Sequence, residues 1–401
     1  MPKFQWRGKN RYGDAAQGAR VAKNKEELTA ALQREQITEI RLSPKKAELN
    51  LSVFESKKVA LKELAIYSRQ LSVLIDAELP LIQGLTILAE QTKNKYFKRV
   101  ITEIRGDVEA GSTLNQAKRK FPKVFDDLYC NLIASGEQSG SLDVMLKRLA
   151  DYLENVVKLR AQVRQAMIYP TAILGFSVIV MIFMMWKVIP IFANIFLELG
   201  ATLPGMTRMI VGMSTFVQNY ILFIVIGLVG LIAFYRYAKK TDRGRRVIDP
   251  LLLKIPLFGS LIEKVGLSRV TRTLSTLLSG GVPMLESLKI TSSTAGNILV
   301  EKNIMKARSM VSEGTSLTDA FKESGRFPFM MIQMIGVGEA TGTLDTMLSK
   351  MAGFYDDEVE SSVASMLSIL EPILLIFVGG MVGVMVISMY LPIFDLMNQM
   401  G

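Results

Sequence analysis

The chain has no histidine. That removes the commonest general base, the usual zinc ligand, and the base of any Ser-His or Cys-His nucleophile pair. Its single cysteine, Cys130, allows neither an intrachain disulfide nor a cysteine-cluster metal site, and reads as a small core residue. No GxxxxGKS/T phosphate loop is present, so nucleotide hydrolysis by that route is excluded. Gly136-Glu137-Gln138-Ser139-Gly140 superficially looks like a serine elbow, but it falls between helical segments and has no histidine to activate Ser139. Nor do residues 1–10 contain the apolar run of a cleaved signal, so the first domain is expected to stay in the cytoplasm.

Charge is missing from three long stretches, residues 165–186, 209–235 and 372–394. Roughly 20 apolar residues suffice to span a bilayer as a helix. No Asp, Glu, Lys or Arg sits inside them, which argues against ion-coupled transport and intramembrane carboxylate chemistry. Lys158, Arg160 and Arg164 precede the first stretch, and Arg236, Lys239, Lys240, Arg243, Arg245 and Arg246 follow the second. Only Lys187 and Arg208 lie between those two. The positive-inside rule therefore puts both large polar regions in the cytoplasm, with the 190–213 loop and the C-terminal end outside. The net charge of +11 is explained by such cytoplasmic parts facing anionic lipid, not by nucleic acid, because no aromatic-plus-basic platform is present.

What is present is a pattern that occurs twice. Leu71 to Ile75, Leu79-Pro80-Leu81, Gly111-Ser112-Thr113-Leu114, Phe121-Pro122 and Gly136-Glu137 to Asp143 recur in order. The second set is Leu274 to Leu278, Val282-Pro283-Met284, Gly314-Thr315-Ser316-Leu317, Phe327-Pro328 and Gly338-Glu339 to Asp345, about 202 residues later. Tyr169-Pro170 and Ile189-Pro190 are matched in the same way by Glu371-Pro372 and Leu391-Pro392. Such an in-register repeat governs every other assignment.

Each copy predicts six helices with short links marked by Gly or Pro, an antiparallel bundle. The expected fold is thus an all-α membrane protein, with two homologous six-helix cytoplasmic bundles, three transmembrane helices and a small N-terminal ββαβ-like module. In that module Phe4-Gln5-Trp6, Ala19 to Ala22 and Ile37 to Leu42 read as strands, Gly8 to Gly13 as a turn, and Asn24 as the cap of a helix with Glu27 as its capping-box partner. The expected boundaries are 1–57 for the module, 58–168 for the first bundle, 169–190 for the first span and 191–213 for a short periplasmic loop. The second span covers 214–236, the second bundle 237–371, the third span 372–394 and a periplasmic end 395–401. Basic residues outnumber acidic ones in residues 1–60, which suits either a solvated surface or a docking surface.

Pro170 and Pro372 fall where the last helix of each bundle meets the membrane, so they are expected to kink or break it, as a plain bend or as a hinge. Gly379 and Gly383 form a GxxxG that suits close helix packing, within the protomer, in an oligomer or on a client helix. Glu137 with Asp143, and Glu339 with Asp345, bracket the glycine turns. They can cap a helix, bind a hard cation through oxygen, or meet a partner. Arg69 and Arg272, matched between the copies in otherwise apolar helices, are expected to form internal ion pairs with carboxylates further along each bundle. No catalytic set, cofactor or firm metal site is expected.

These residues, from Ser68-Arg69-Gln70-Leu71 through Gly136 to Gly140 and Ile189-Pro190, make the chain similar to the type II secretion F family. Its members are polytopic inner-membrane platform proteins of type II secretion and type IV pilus machines. The resemblance covers essentially the whole chain, and Phe4-Gln5-Trp6-Arg7-Gly8 and Tyr169-Pro170 look closer to the pilus branch. The second copy departs from the pattern at Thr271-Arg272-Thr273-Leu274 and Glu371-Pro372. The resemblance implies a non-enzymatic protein of the bacterial inner membrane, with its N-terminus in the cytoplasm. The implied partners are a hexameric assembly or retraction ATPase, major and minor pilins or pseudopilins, other inner-membrane alignment proteins, and a second copy of itself in a dimer. An oligomeric transporter is the alternative from another class; three spans per protomer are too few to enclose a pathway alone.

Overall fold

A computed structural model describes residues 3–9, 15–21, 28–29, 31, 33, 37–44, 58–198, 204–239, 241–325 and 327–400. The chain divides into two units, Met1–Lys58 with Lys93–Arg99, and Val59–Thr92 with Val100–Gly401.

In the first unit, β1 (Lys3–Lys9), β2 (Ala15–Val21) and β3 (Thr38–Pro44) form an antiparallel sheet of order β2-β1-β3. Trp6 pairs with Gly18 on one side and Leu42 on the other. The strands run further than the short apolar clusters suggested. Gly8 and Lys9 are strand and not turn, and β3 continues through Ser43 and Pro44, where a linker was expected. The helix cap at Asn24 with Glu27 lies outside the described residues.

In the second unit, proline or glycine marks several of the helix ends. The first series is α1 (Leu61–Asp76), α2 (Leu81–Gln91), α3 (Lys95–Glu109, of which Lys95–Arg99 belong to the first unit), α4 (Leu114–Arg119), α5 (Asp127–Ser139) and α6 (Leu142–Phe183). Pro80 is the N-cap of α2, where it has no amide to lose and its fixed φ sets the first turn. Leu71, Leu85, Ile104, Leu114, Leu132 and Leu146 are fully buried, one or more from each of the six helices. Within α2 and α6, buried Leu85, Leu88 and Ala89, and Leu146, Leu149, Ala150 and Leu153, fall at the three- and four-residue steps that turn one helical stripe inward.

Beyond α6, a π turn (Met184–Val188) leads directly into α7 (Ile189–Glu198), and α8 (Gly205–Ala238) follows. Within the expected 191–213 loop, residues 191–198 and 205–213 are helical. Ile189, Ala193 and Phe196 bury one face of α7, so the apolar run goes on folding as helix past Pro190. Next comes α9 (Asp242–Lys254), a helix that the six-helix expectation for residues 237–371 omitted. The second series is α10 (Phe258–Ser279), α11 (Met284–Thr294), α12 (Ile298–Ser312), α13 (Leu317–Ser324), α14 (Phe329–Thr341) and α15 (Leu344–Met400). Its core gathers Val270, Leu274, Leu288, Ile304, Phe321 and Leu348.

Pro170 and Pro372 lie inside α6 and α15, and neither helix breaks there. Of the expected kink or break, the break is absent, because a long helix can carry one missing amide when both flanks are held. The two Phe-Pro steps are also not equivalent. Pro328 caps α14 directly, whereas Phe121-Pro122 stands a turn earlier and Asp126 caps α5. Phe125, two residues before α5, occupies the place that Phe327 holds before α14.

Three helical runs, Leu142–Phe196, Gly205–Ala238 and Leu344–Phe394, are long and apolar enough to cross a membrane.

Candidate functional site

The paired Gly-Glu turns are built by close approach. Gly140 and Gly342 end α5 and α14 at φ 71° and 69°, and the next amides, of Ser141 and Thr343, reach back to the carbonyls of Gly136 and Gly338 at 3.0 and 2.9 Å. This left-handed C-cap folds the following helix back on the one before. A Cβ at Gly136 would stand 3.0 Å from Leu142 Cα, and one at Gly338 2.7 Å from Leu344 Cα. Only glycine lets these helices meet.

The glutamates beside those glycines point to the short helices. Glu137 accepts from the amides of Leu114 (2.5 Å) and Asn115 (3.1 Å). Glu339 accepts from the amides of Leu317 (2.8 Å) and Thr318 (3.0 Å) and from the Thr318 hydroxyl (2.6 Å). Both carboxylates thus satisfy orphan N–H groups at the start of α4 and α13. Burial pushes the Glu339 carboxyl up, but the Thr318 hydroxyl and the two amides outweigh it and leave it below its usual value. Asp143 and Asp345 stand in the first turns of α6 and α15. Among the described residues no cluster of three metal-ligating side chains forms around either turn.

Arg69 grips Glu154 with two bonds of 2.7 Å and also contacts Asp151, joining α1 to α6. Arg272 contacts Asp356, joining α10 to α15, and Ser268 donates to the other oxygen of Asp356 at 2.5 Å. The two helix series meet through Tyr152 OH and Thr273 Oγ1 at 3.3 Å, and through Ser135 Oγ, which donates to the Gly280 carbonyl at 2.5 Å.

One residue with no sequence signal is Lys118. It is fully buried on α4, with its amine 4.5 to 5.1 Å from the ring centres of Tyr129, Phe125 and Tyr67, and it donates to Tyr129 OH at 3.1 Å. Burial pushes the amine down to about 7, and no carboxylate lies within ion-pair distance among the described residues. The ring faces offset part of that penalty on the charged form. In the second bundle Phe321 stands in this place, packed on Phe327 with ring centres 4.7 Å apart. Cys130, buried nearby, has its thiol pushed up to about 11 by burial, which makes it inert.

In the apolar helices the prolines organise the contacts. Pro190 has no amide for the Trp186 carbonyl, and the π turn sends the Ile189 amide to Met184 instead of Met185. The freed carbonyls of Met185 and Trp186 accept from Ser214 and, at 2.7 Å, from Gln218, both on α8. Pro392 likewise frees the Ser388 carbonyl, which accepts from Thr207 Oγ1 of α8 at 2.8 Å. Met185, Ile189, Ile210 and Met385 close a small core around these bonds. Gly379 and Gly383 take no part: a Cβ on either would meet nothing within 4 Å. Packing within the protomer, one of the uses expected of this GxxxG, runs instead through Met381 and Met385.

Residues 67–190 and 270–392 match the family described as type II secretion system (T2SS), protein F. The chain belongs to that family. It is 40% identical over 396 residues to the type IV pilus assembly protein PilC of Myxococcus xanthus, covering 98% of this chain and 94% of that one. It is 39% identical to the type IV pilus assembly protein PilC of Thermus thermophilus over the full length of both. The type II secretion system protein F of Pseudomonas aeruginosa is 33% identical over 85% of this chain and 84% of its own.

Proposed function

We propose that the chain is the inner-membrane platform of a type IV pilus machine. The observation that carries this reading is identity with pilus assembly proteins over both full lengths, higher than with the secretion protein F of Pseudomonas aeruginosa. In this reading the two six-helix series are copies of one unit, both in the cytoplasm with the N-terminus, a placement supported by the Lys and Arg flanking the spans. They are the handles on which a hexameric ATPase acts, and the apolar spans are the surface along which pilin helices pass. Inner-membrane alignment proteins and a second copy of the chain complete the assembly.

Pro170 and Pro372 are proposed as the flexible points at which each bundle moves against its membrane helix, because each frees one backbone carbonyl where bundle becomes span. The open Gly379 and Gly383 face suits a helix from outside the protomer. The reading is tested by photocrosslinking in cells from positions beside Glu137 and Glu339 and from Gly379. The ATPase is expected on the bundle probes and pilin on the span probe. Normal pili in a strain lacking the protein would sink the reading. Capture of pseudopilins in place of pilins would move the protein to a secretion machine, and solute flux after reconstitution would favour an oligomeric transporter.

A further inference from the structure

Between α6 and α10 lies a cavity of about 450 Å³ that the pilus reading leaves unused. Its walls are apolar, formed by Val163 and Met167 of α6 and by Phe258, Leu261 and Val265 of α10. Three arginines, Arg160, Arg164 and Arg269, line it as well. Arg69, Arg245 and Arg272 each pair with an acid on another helix. Here, among the described residues, none of the three has a carboxylate within ion-pair distance.

Arg269 is the most telling. Its guanidinium lies against Gly296, where a Cβ would come within 2.7 Å of it, and its buried Nε has no hydrogen-bond partner. Burial and the charge of Arg160 both push it below the usual arginine range. A cation that cannot lose its proton, drawn under cover beside like charge, needs an anion to be stable.

The position says which anion. Arg164 is the last charge of α6 before the apolar run, and the cavity opens at that level. Nearby in sequence, α9 holds Val247 and Leu251 exposed four residues apart, next to exposed Arg243 and Arg246. That is the surface of a helix lying at a headgroup layer. A small soluble anion has no use for the apolar wall, whereas a lipid uses both parts.

We propose that this cavity binds an anionic phospholipid, its phosphate held by Arg269, Arg160 and Arg164 and its acyl chain lying along Val163, Met167 and Leu261. Arginine forks match phosphate oxygens, and basic pockets between membrane helices on the cytoplasmic side suit such headgroups. The lipid ties the first bundle's long helix to the second bundle's first helix at the membrane surface. The inference rests on the membrane placement proposed above, but not on the identity of the machine.

The test uses the full chain in nanodiscs of phosphatidylglycerol and phosphatidylcholine in equal parts, followed by mild detergent release and native mass spectrometry of retained lipid. The wild type is expected to keep phosphatidylglycerol over phosphatidylcholine. Arg269→Gln should lower that retention about tenfold, as loss of a charged hydrogen-bonding partner does, and Arg269→Lys should restore part of it. Met167→Trp fills the cavity with all three arginines intact, and should lose the lipid too, so it carries the test if Arg269→Gln does not fold. Equal retention of both lipids by the wild type, or unchanged retention in Arg269→Gln and Met167→Trp, overturns the proposal. Displacement of the lipid by inorganic phosphate overturns it in favour of a soluble phosphate. Failure to enter nanodiscs at all would sink the membrane placement as well, and is told apart because no lipid count is then obtained.

Discussion

Thr207 donates its hydroxyl at 2.8 Å to the Ser388 carbonyl, the one that Pro392 leaves without an amide. Gln218 does the same for Trp186, the carbonyl that Pro190 frees. A helix with no counterpart of its own, α8, thus supplies the missing donors to both proline-bearing helices. An unsatisfied carbonyl is expensive in a lipid-facing bundle, so these bonds fix the register of the three spans.

Thr207→Val should therefore destabilise the folded protein by about 1 kcal/mol, the usual cost of orphaning a buried acceptor among membrane helices. Pro392→Ala returns an amide to the Ser388 carbonyl. In that background Thr207→Val should cost markedly less. Unfolding midpoints of the four proteins in detergent measure this cycle; strictly additive effects would refute the link.

Gly136→Ala and Gly338→Ala each place a methyl against the backbone of the next helix, at 3.0 and 2.7 Å. Backbone cannot step aside as a side chain can, so each should cost roughly 1–3 kcal/mol, with Gly338 the worse. Thermal unfolding of the purified variants decides it, and a neutral Gly338→Ala would mean that α14 and α15 can separate freely.

Lys118 should make stability depend on pH. Its folded pKa, about 7, lies below its ordinary value of 10.5, so above pH 7 the unfolded chain binds more protons than the folded one. Stability then rises with pH from about 7 toward 10.5, by at most about 1.4 kcal/mol per pH unit, and the burial penalty is full below 7. Chemical denaturation at pH 6, 7.5 and 9 should show the rise in the wild type and its loss in Lys118→Met. Equal slopes would place the charge in water.

Glu339→Gln should act at the opposite end of the scale. Because the carboxyl is held below its usual value, its contribution is present above the unfolded pKa and lost as pH falls through the folded one. The variant should lose about 1 kcal/mol at neutral pH, as a weakened helix cap does, and less in acid. Amide exchange at Leu317 and Thr318 gives the local readout.

Much of this was legible because it is local. Pro80, Gly111 and Gly140 mark helix ends by their own backbone limits, and three charge-free stretches state their own length. Pro170 does not break its helix, because a proline's cost depends on what holds the flanking turns. The 191–213 segment misled because Lys187 and Arg208 suggested a loop, while Ile189, Ala193 and Phe196 went on burying a helical face. Phe121-Pro122 was aligned by composition with Phe327-Pro328, yet the caps show that Phe125 is the matching ring.

Spacing and composition alone determined the helices, the three apolar runs, the doubled pattern and the exclusion of histidine-based chemistry. They depend only on near neighbours along the chain. The tertiary structure decided where side chains from distant positions end: Glu137 on the amides of α4, Lys118 among three rings, Thr207 on the Ser388 carbonyl, and Arg269 in a cavity without an acid. A long-range partner leaves no period in the sequence. Only packing brings it within the few ångströms at which hydrogen bonds and charges act.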